Sequence, residues 1–235
     1  MKLLIWDFDE TLGYRHGGAW AASLFEVLQR EAPGSPVTLD ELGRYTRAGF
    51  PWHTPETPHL NLDSADAWWQ ALEPVFQQAY EGVGFDVDRA RALAKLVRLT
   101  YLDPTRWRLY DDTEPTLTAL ADAGWTHAIL SNHVPELADL IEGLGLSGAF
   151  ARIYNSALTG YEKPHPEAYQ LVLRAFPEAT VRWMIGDSFR ADVQGAQAVG
   201  IPAVLVRRYH PDAERYAATL SELSGILSDA DQSPM

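Results

Sequence analysis

Two aspartates, Asp7 and Asp9, follow a short apolar run, Lys2-Leu3-Leu4-Ile5-Trp6, and open a polar turn, Asp7-Phe8-Asp9-Glu10-Thr11. A second run, residues 126–130, leads into Ser131 and Asn132, and a third, residues 181–185, into Gly186-Asp187-Ser188 and then Asp192. Neighbouring strands lie about 4.8 Å apart, so acids at adjacent strand ends can share one cation. A hard ion such as Mg²⁺ takes oxygen ligands at about 2.1 Å, commonly one or two carboxylates with waters and a substrate phosphate. Asp7 and Asp187 suit that task. A carboxylate held on such an ion, with a phosphoryl oxygen beside it, can also act as nucleophile. Asp9, two residues on, could protonate the leaving oxygen and later activate water.

Each feature also has an ordinary reading. Asp-x-Asp and Gly-Asp-Ser are common turn chemistry, and a Ser after a strand is commonly a cap. The chain has only three lysines, Lys2, Lys95 and Lys163, and Lys163 precedes Pro164 in a loop that the topology can bring to the same strand ends. Four such elements in this order argue for one site.

The elements that must position them follow from periodicity. Lys2–Trp6, residues 126–130 and 181–185, and Ala203–Val206 are continuous apolar runs, as buried parallel strands require. Helical patterns separate them: residues 115–123 with Thr113 as N-cap and Gly124 at the end, 135–142 before Gly143, 166–176, and 192–199 before Gly200. Strand and helix in alternation predict an α/β fold, an open, mostly parallel sheet covered on both faces. Ligands bind at the carboxyl ends of strands in such sheets.

Residues 14–99 break that rhythm. Residues 19–30 are amphipathic, Thr38-Leu39-Asp40-Glu41 is a capping box, 63–80 is helical with a kink or break expected at Pro74, and 88–99 is helical again. Residues 49–60 read as a loop. The block has no clear strand and predicts a helical module inserted after the first strand. Trp68 and Trp69 are expected in its core, His127 as a buried structural residue of the second strand, and the polar tail 228–235 as frayed.

Composition narrows the function. A length of 235 residues allows one large domain, or a core with one sizeable insertion. The absence of Cys excludes disulfide scaffolds, thiolate zinc sites and thiol catalysis. A formal charge of −13 opposes binding to phosphate backbones or anionic lipid, so neither nucleic acid nor membrane is expected as partner. With no transmembrane-length run and no cleavable leader, the expected location is cytoplasmic, as a monomer or homodimer.

Taken together, the four motifs resemble those of the haloacid dehalogenase (HAD) superfamily of hydrolases, over almost the whole chain. Asp7-Phe8-Asp9-Glu10-Thr11 matches the first motif, Ser131-Asn132 the second, Lys163-Pro164 the third, and Gly186-Asp187-Ser188-Phe189-Arg190-Ala191-Asp192 the fourth. The resemblance implies a Rossmann-like core, residues 1–14 and 100–235, with an α-helical cap, residues 15–99, that closes over the site and selects substrate. It implies Asp7 as nucleophile and Asp9 as general acid and base. Ser131 and the Asn132 backbone N–H would hold a phosphoryl oxygen, and Lys163 would offset the charge of Asp7 and the phosphoryl group. Mg²⁺ would lie on Asp7, the Asp9 carbonyl and Asp187, with Asp192 a ligand or an orienter of its waters. The expected activity is that of a Mg²⁺-dependent phosphatase acting on a small-molecule phosphate ester.

One position departs from the commonest pattern: Glu10 stands where this subfamily usually has Gly. Glu10 is expected either to disfavour very anionic substrates at the mouth or simply to point to solvent. Dehalogenases of this fold need no metal and lack the second Asp, so Asp9 argues for phosphate chemistry. A phosphonatase would need a cap lysine, and Lys95 is expected to be a solvated surface group. A phosphomutase or other phosphotransferase would use the same core, and a non-catalytic phosphoester-binding module would keep the fold without turnover. One or two of Arg15, His16, Arg44, Arg47, Trp52, His53 and His59 are expected to meet the leaving group.

Overall fold

The computed structural model describes residues 1–62 and 64–231. The chain begins with β1 (Lys2–Trp6) and β2 (Gly13–Arg15). Five helices follow: α1 (Trp20–Glu31), α2 (Leu39–Gly43), α3 (Ala65–Gly82), α4 (Val87–Ala94) and α5 (Val97–Tyr101). The chain then alternates through β3 (Trp107–Leu109), α6 (Thr113–Asp122), β4 (Trp125–Ser131), α7 (Leu137–Gly143) and β5 (Arg152–Asn155). After α8 (Ser156–Thr159) and α9 (Pro166–Ala175) come β6 (Val181–Gly186), a π-helical turn at Phe189–Gln194, and α10 (Gly195–Gln197). It ends with β7 (Ala203–Val206), β8 (Tyr216–Ala217) and α11 (Leu223–Asp231).

Six strands form one sheet in the order β5-β4-β1-β6-β7-β8, and each pairing is parallel. This is the expected α/β, Rossmann-like core. Side chains alternate across β1: Leu3 and Ile5 pack with Ala128, Leu130, Met184 and Leu205, whereas Leu4 and Trp6 pack with Ile129, Ile185 and Val204. Both faces are therefore covered, which explains why these strands are apolar at every position. Removing such a side chain, as in Leu4→Ala, costs about 2–5 kcal/mol.

His127 is buried on β4, where Nδ1 accepts from Trp6 Nε1 at 3.0 Å and Nε2 lies 3.1 Å from the Leu117 carbonyl. It has the structural role expected. Trp68 and Trp69 are buried, and Lys95 is exposed.

Several elements differ in detail. α3 runs unbroken through Pro74, which sits on its solvent side while Trp68, Trp69, Leu72 and Phe76 hold the other face in place. Thr113 is the first residue of α6 rather than its cap, because its hydroxyl donates to the Leu12 carbonyl at 2.7 Å. Residues 88–99 divide into α4 and α5, and 192–199 into the π-helical turn and α10. Two strand pieces flank the helical stretch: β2 and β3 pair antiparallel, Tyr14 opposite Arg108. Of the polar tail, helix α11 extends to Asp231, while residues 232–235, like Asp63, lie outside the described residues. No helix among the described residues is long and apolar enough to cross a membrane.

The helices between β2 and β3 are tied to the core by polar contacts as well as apolar ones. Arg15 is buried and donates to Glu26, the Gly18 carbonyl, and the Thr100 and Tyr101 carbonyls. Trp69 Nε1 and Arg98 both donate to Glu136 just before α7.

Candidate active site

Register places the acids. Trp6 pairs with Ile129 of β4 and Ile185 of β6, so the next residue, Asp7, emerges beside the ends of both strands. Its backbone N–H donates to Ile185 O at 2.9 Å. Ser131 and Asp187 leave those neighbouring strands on the same edge. Gly186 is needed here, since a Cβ would overlap the carboxyl group of Asp192.

Around Asp7 the polar groups converge. Ser131 Oγ donates to Asp7 Oδ1 at 2.7 Å, and Lys163 Nζ lies 2.9 Å from the same oxygen. Lys163 Nζ also meets Asp192 Oδ1 at 2.6 Å, and Asp192 Oδ2 accepts from the Ser188 N–H at 2.9 Å. Asn132 clamps the Lys163 backbone, accepting from its N–H at 2.7 Å and donating to its carbonyl at 2.9 Å. Asp187 Oδ2 lies 3.3 Å from Arg208 Nε. The seven residues expected at the site are thus gathered at one sheet edge, with Asp9 half-buried at its rim.

Lys163, together with the exposed Arg208 at Asp187, faces three buried or half-buried acids, which leaves an excess of negative charge. Burial raises the pKa of Asp187, and the charges of Asp7 and Asp192 add to the effect. Burial likewise raises that of Asp192, beyond what Lys163 takes back. Burial works against the Lys163 ammonium, but Asp192 and Asp7 outweigh it and hold its pKa above the ordinary value. One carboxylate oxygen each from Asp7, Asp187 and Asp192 lie within 4.8 Å of one another. Hard oxygen donors short of positive charge fit a divalent cation such as Mg²⁺.

A cavity of about 540 Å³ opens over this edge, lined by Asp7, Asp9, Asn132, Lys163, Ser188 and Asp192 below. Trp20, Trp52 and Tyr101 from the helical stretch line it as well, as do Glu10, His133, Arg190 and Arg208. A larger groove of about 1100 Å³, on α1 and its neighbours, carries none of the motif residues. Of the seven helical-stretch residues expected near the leaving group, Trp52 lines the cavity. Arg15 is occupied by Glu26, and His16, Arg44, Arg47 and His53 are exposed elsewhere. His59 is held 3.8 Å from Glu162.

Sequence reasoning missed His133, Trp20 and Tyr101. His133 is completely buried, its Nε2 3.6 Å from Asp9 Oδ2. Burial disfavours its imidazolium, yet Asp9, the Val134 carbonyl and Asp7 outweigh that and raise its pKa. Glu10 does not point free into solvent: Tyr110 OH donates to it at 2.8 Å, and Arg208 lies 3.8 Å away. Its φ of 56° is the left-handed region, which explains the usual Gly at this place.

The family model for haloacid dehalogenase-like hydrolases matches residues 1–200. The chain belongs to this family. It is 32% identical to phosphoserine phosphatase of Thermus thermophilus, over 88% of this chain and 89% of that one. It is 30% identical to haloacid dehalogenase-like hydrolase domain-containing protein 3 of Bos taurus, over 90% and 84% of the two chains. A solved 2-haloacid dehalogenase from Pseudomonas syringae pv. Tomato superposes with a TM-score of 0.66 at 25% identity, covering 98% of this chain and 99% of that one. The HAD-like hydrolases similar to this chain therefore include both phosphatases and dehalogenases.

Proposed function

We propose that this HAD-like hydrolase is a Mg²⁺-dependent phosphatase that hydrolyses a small phosphomonoester through an aspartyl-phosphate on Asp7. The observation that carries the reading is the cluster of Asp7, Asp187 and Asp192, whose oxygens lie within 4.8 Å of one another, with Lys163 beside Asp7 and Asp192. That donor set calls for a cation. Asp9 at the rim of the same cavity adds the proton donor that an ester oxygen needs. The 32% identical Thermus thermophilus protein, named a phosphoserine phosphatase, also supports phosphate over halide chemistry.

In this reading residues 15–99 form a cap over the site. Ser131 Oγ, 2.7 Å from Asp7 Oδ1, would orient the nucleophile and meet a phosphoryl oxygen together with the Asn132 N–H. Lys163, fixed by Asn132 and Asp192, supplies positive charge beside Asp7. Asp7, Asp187 and the Asp9 carbonyl would hold Mg²⁺, with Asp192 a ligand or orienter of its waters. Bound Mg²⁺ would supply charge stabilisation for the transferring phosphoryl group. Asp7 attacks phosphorus, Asp9 protonates the departing oxygen, and Asp9 then takes a proton from the water that releases phosphate.

Phosphate release from a panel of small phosphomonoesters, with Mg²⁺ or with EDTA, tests the reading. Turnover that requires the metal and disappears in Asp7→Asn is expected. Turnover that survives either loss, or halide release from a 2-haloacid without metal, contradicts it.

A further inference from the structure

We propose that His133 is a positioning residue for Asp9, holding its carboxyl group where it can protonate the leaving oxygen. The inference rests on the phosphatase reading above, in which Asp9 is the acid. His133 follows Ser131 by two residues, and its ring is fixed from every side. Phe8 meets it edge-on at a centroid distance of 5.7 Å, Trp107 lies at 5.4 Å, and Tyr101 at 6.3 Å. Its backbone N–H donates to Ser156 Oγ at 3.2 Å, and Nδ1 stands 3.3 Å from the Val134 carbonyl. Nε2 is buried without a hydrogen-bond partner and faces Asp9 Oδ2 at 3.6 Å.

A buried ring nitrogen with no partner is costly, and structures retain one where it has work to do. Asp9 is the complementary case, a half-buried carboxylate on a turn. A general acid must come within about 2.6–3.2 Å of the oxygen it protonates. A rigid imidazole on one side of Asp9 narrows its rotamers toward the cavity, which both residues line. The cage also includes Tyr101 of α5 and Trp107 of β3, so the ring's place depends on how the helical stretch is seated on the core.

The step balances simply. As an Asp7 carboxylate oxygen forms its bond to phosphorus, the bond from phosphorus to the leaving oxygen breaks, the electron pair stays on that oxygen, and the Asp9 proton moves to it. His133 neither gains nor loses a proton in this step. Its effect therefore depends on the ester. An alkyl alkoxide needs the proton as it leaves, whereas 4-nitrophenolate departs without one.

The test compares kcat/KM for benzyl phosphate and 4-nitrophenyl phosphate in the full-length chain with Mg²⁺. His133→Phe keeps a ring in the cage and removes the nitrogen, and His133→Gln returns a polar group of similar reach. His133→Phe is expected to lower kcat/KM for benzyl phosphate by about tenfold or more and for 4-nitrophenyl phosphate by less than about threefold, with His133→Gln recovering most of the difference. Should His133→Phe not fold, His133→Asn, whose amide is too short to reach Asp9, replaces it against His133→Gln. Equal losses on both esters, or no loss, overturn the role of His133 while leaving the phosphatase reading intact. A wild type that hydrolyses neither ester removes both.

Discussion

Lys163 Nζ lies 2.6 Å from Asp192 Oδ1, and both side chains are almost wholly excluded from solvent. This pair makes Asp192 an anchor for the lysine as well as a candidate ligand. Breaking a buried pair by removing one partner costs about 3–5 kcal/mol, because the other charge is stranded. Lys163→Met is therefore expected to lower unfolding free energy by about 3 kcal/mol and to abolish turnover. The double variant with Asp192→Asn should lose less than the sum of the two single losses, by about 1 kcal/mol or more. Urea denaturation of the four proteins reads this directly, and strict additivity would mean the pair is energetically idle.

A divalent cation should stabilise the fold. The pKa values of Asp187 and Asp192 are raised by burial and by the charge of Asp7, which is the signature of missing positive charge. Saturating a site at about a hundred times its Kd contributes about 2.7 kcal/mol. For a chain of this size that is a rise in Tm of roughly 5–10 °C. Thermal melts in EDTA and in excess Mg²⁺ should show the rise in the wild type and not in Asp187→Asn. An equal rise in both proteins would place the ion elsewhere.

Glu162, next to Lys163 in the chain, sets a pH dependence. Burial pushes its pKa from 4.5 up to about 7, against the opposing pull of Ser156 and Lys163. His59, 3.8 Å away, has its own pKa lowered by burial and adds no firm positive charge. The native state therefore holds a proton that the unfolded chain releases between about pH 4.5 and 7. This contribution to stability is complete below 4.5 and is lost as pH rises through about 7. Glu162→Gln should match the wild type near the lower limit and exceed it at pH above 7, by at most about 3 kcal/mol. Equal stability of the two proteins across that window would contradict it.

Glu10 gives a backbone test. Both Glu10→Gly and Glu10→Ala delete the contacts to Tyr110 and Arg208, but only glycine is at ease at a φ of 56°. The alanine variant should be the less stable by about 1 kcal/mol. Chemical denaturation of the pair decides it, and the reverse order would mean the turn relaxes.

How far the chain could be read without coordinates depended on how local each signal was. The central strands β1, β4, β6 and β7 are buried on both faces, so their runs of apolar residues reveal them at once. β5 and β8 are short edge strands, Arg152-Ile153-Tyr154-Asn155 and Tyr216-Ala217, with polar or half-exposed positions and no such run. The β2–β3 ribbon joins residues almost a hundred positions apart, which no local pattern records. Thr113 looked like a cap because its type suits one, but a tertiary bond to Leu12 engages its hydroxyl. In the site, the acids, Ser131, Asn132 and Lys163 carry motifs, whereas His133, Trp20 and Tyr101 acquire their place only when the helical stretch folds over the sheet edge. A buried histidine and two aromatic residues look in sequence like any other core residues.

The central claim is that Asp7 becomes phosphorylated. Acid-quenching the protein during turnover of ³²P-labelled acetyl phosphate with Mg²⁺, then mapping labelled peptides, measures it most directly. The label should fall on the N-terminal peptide at Asp7, be removed by hydroxylamine as an acyl phosphate, and be absent from Asp7→Asn. Steady release of phosphate with no label at Asp7 would contradict the account.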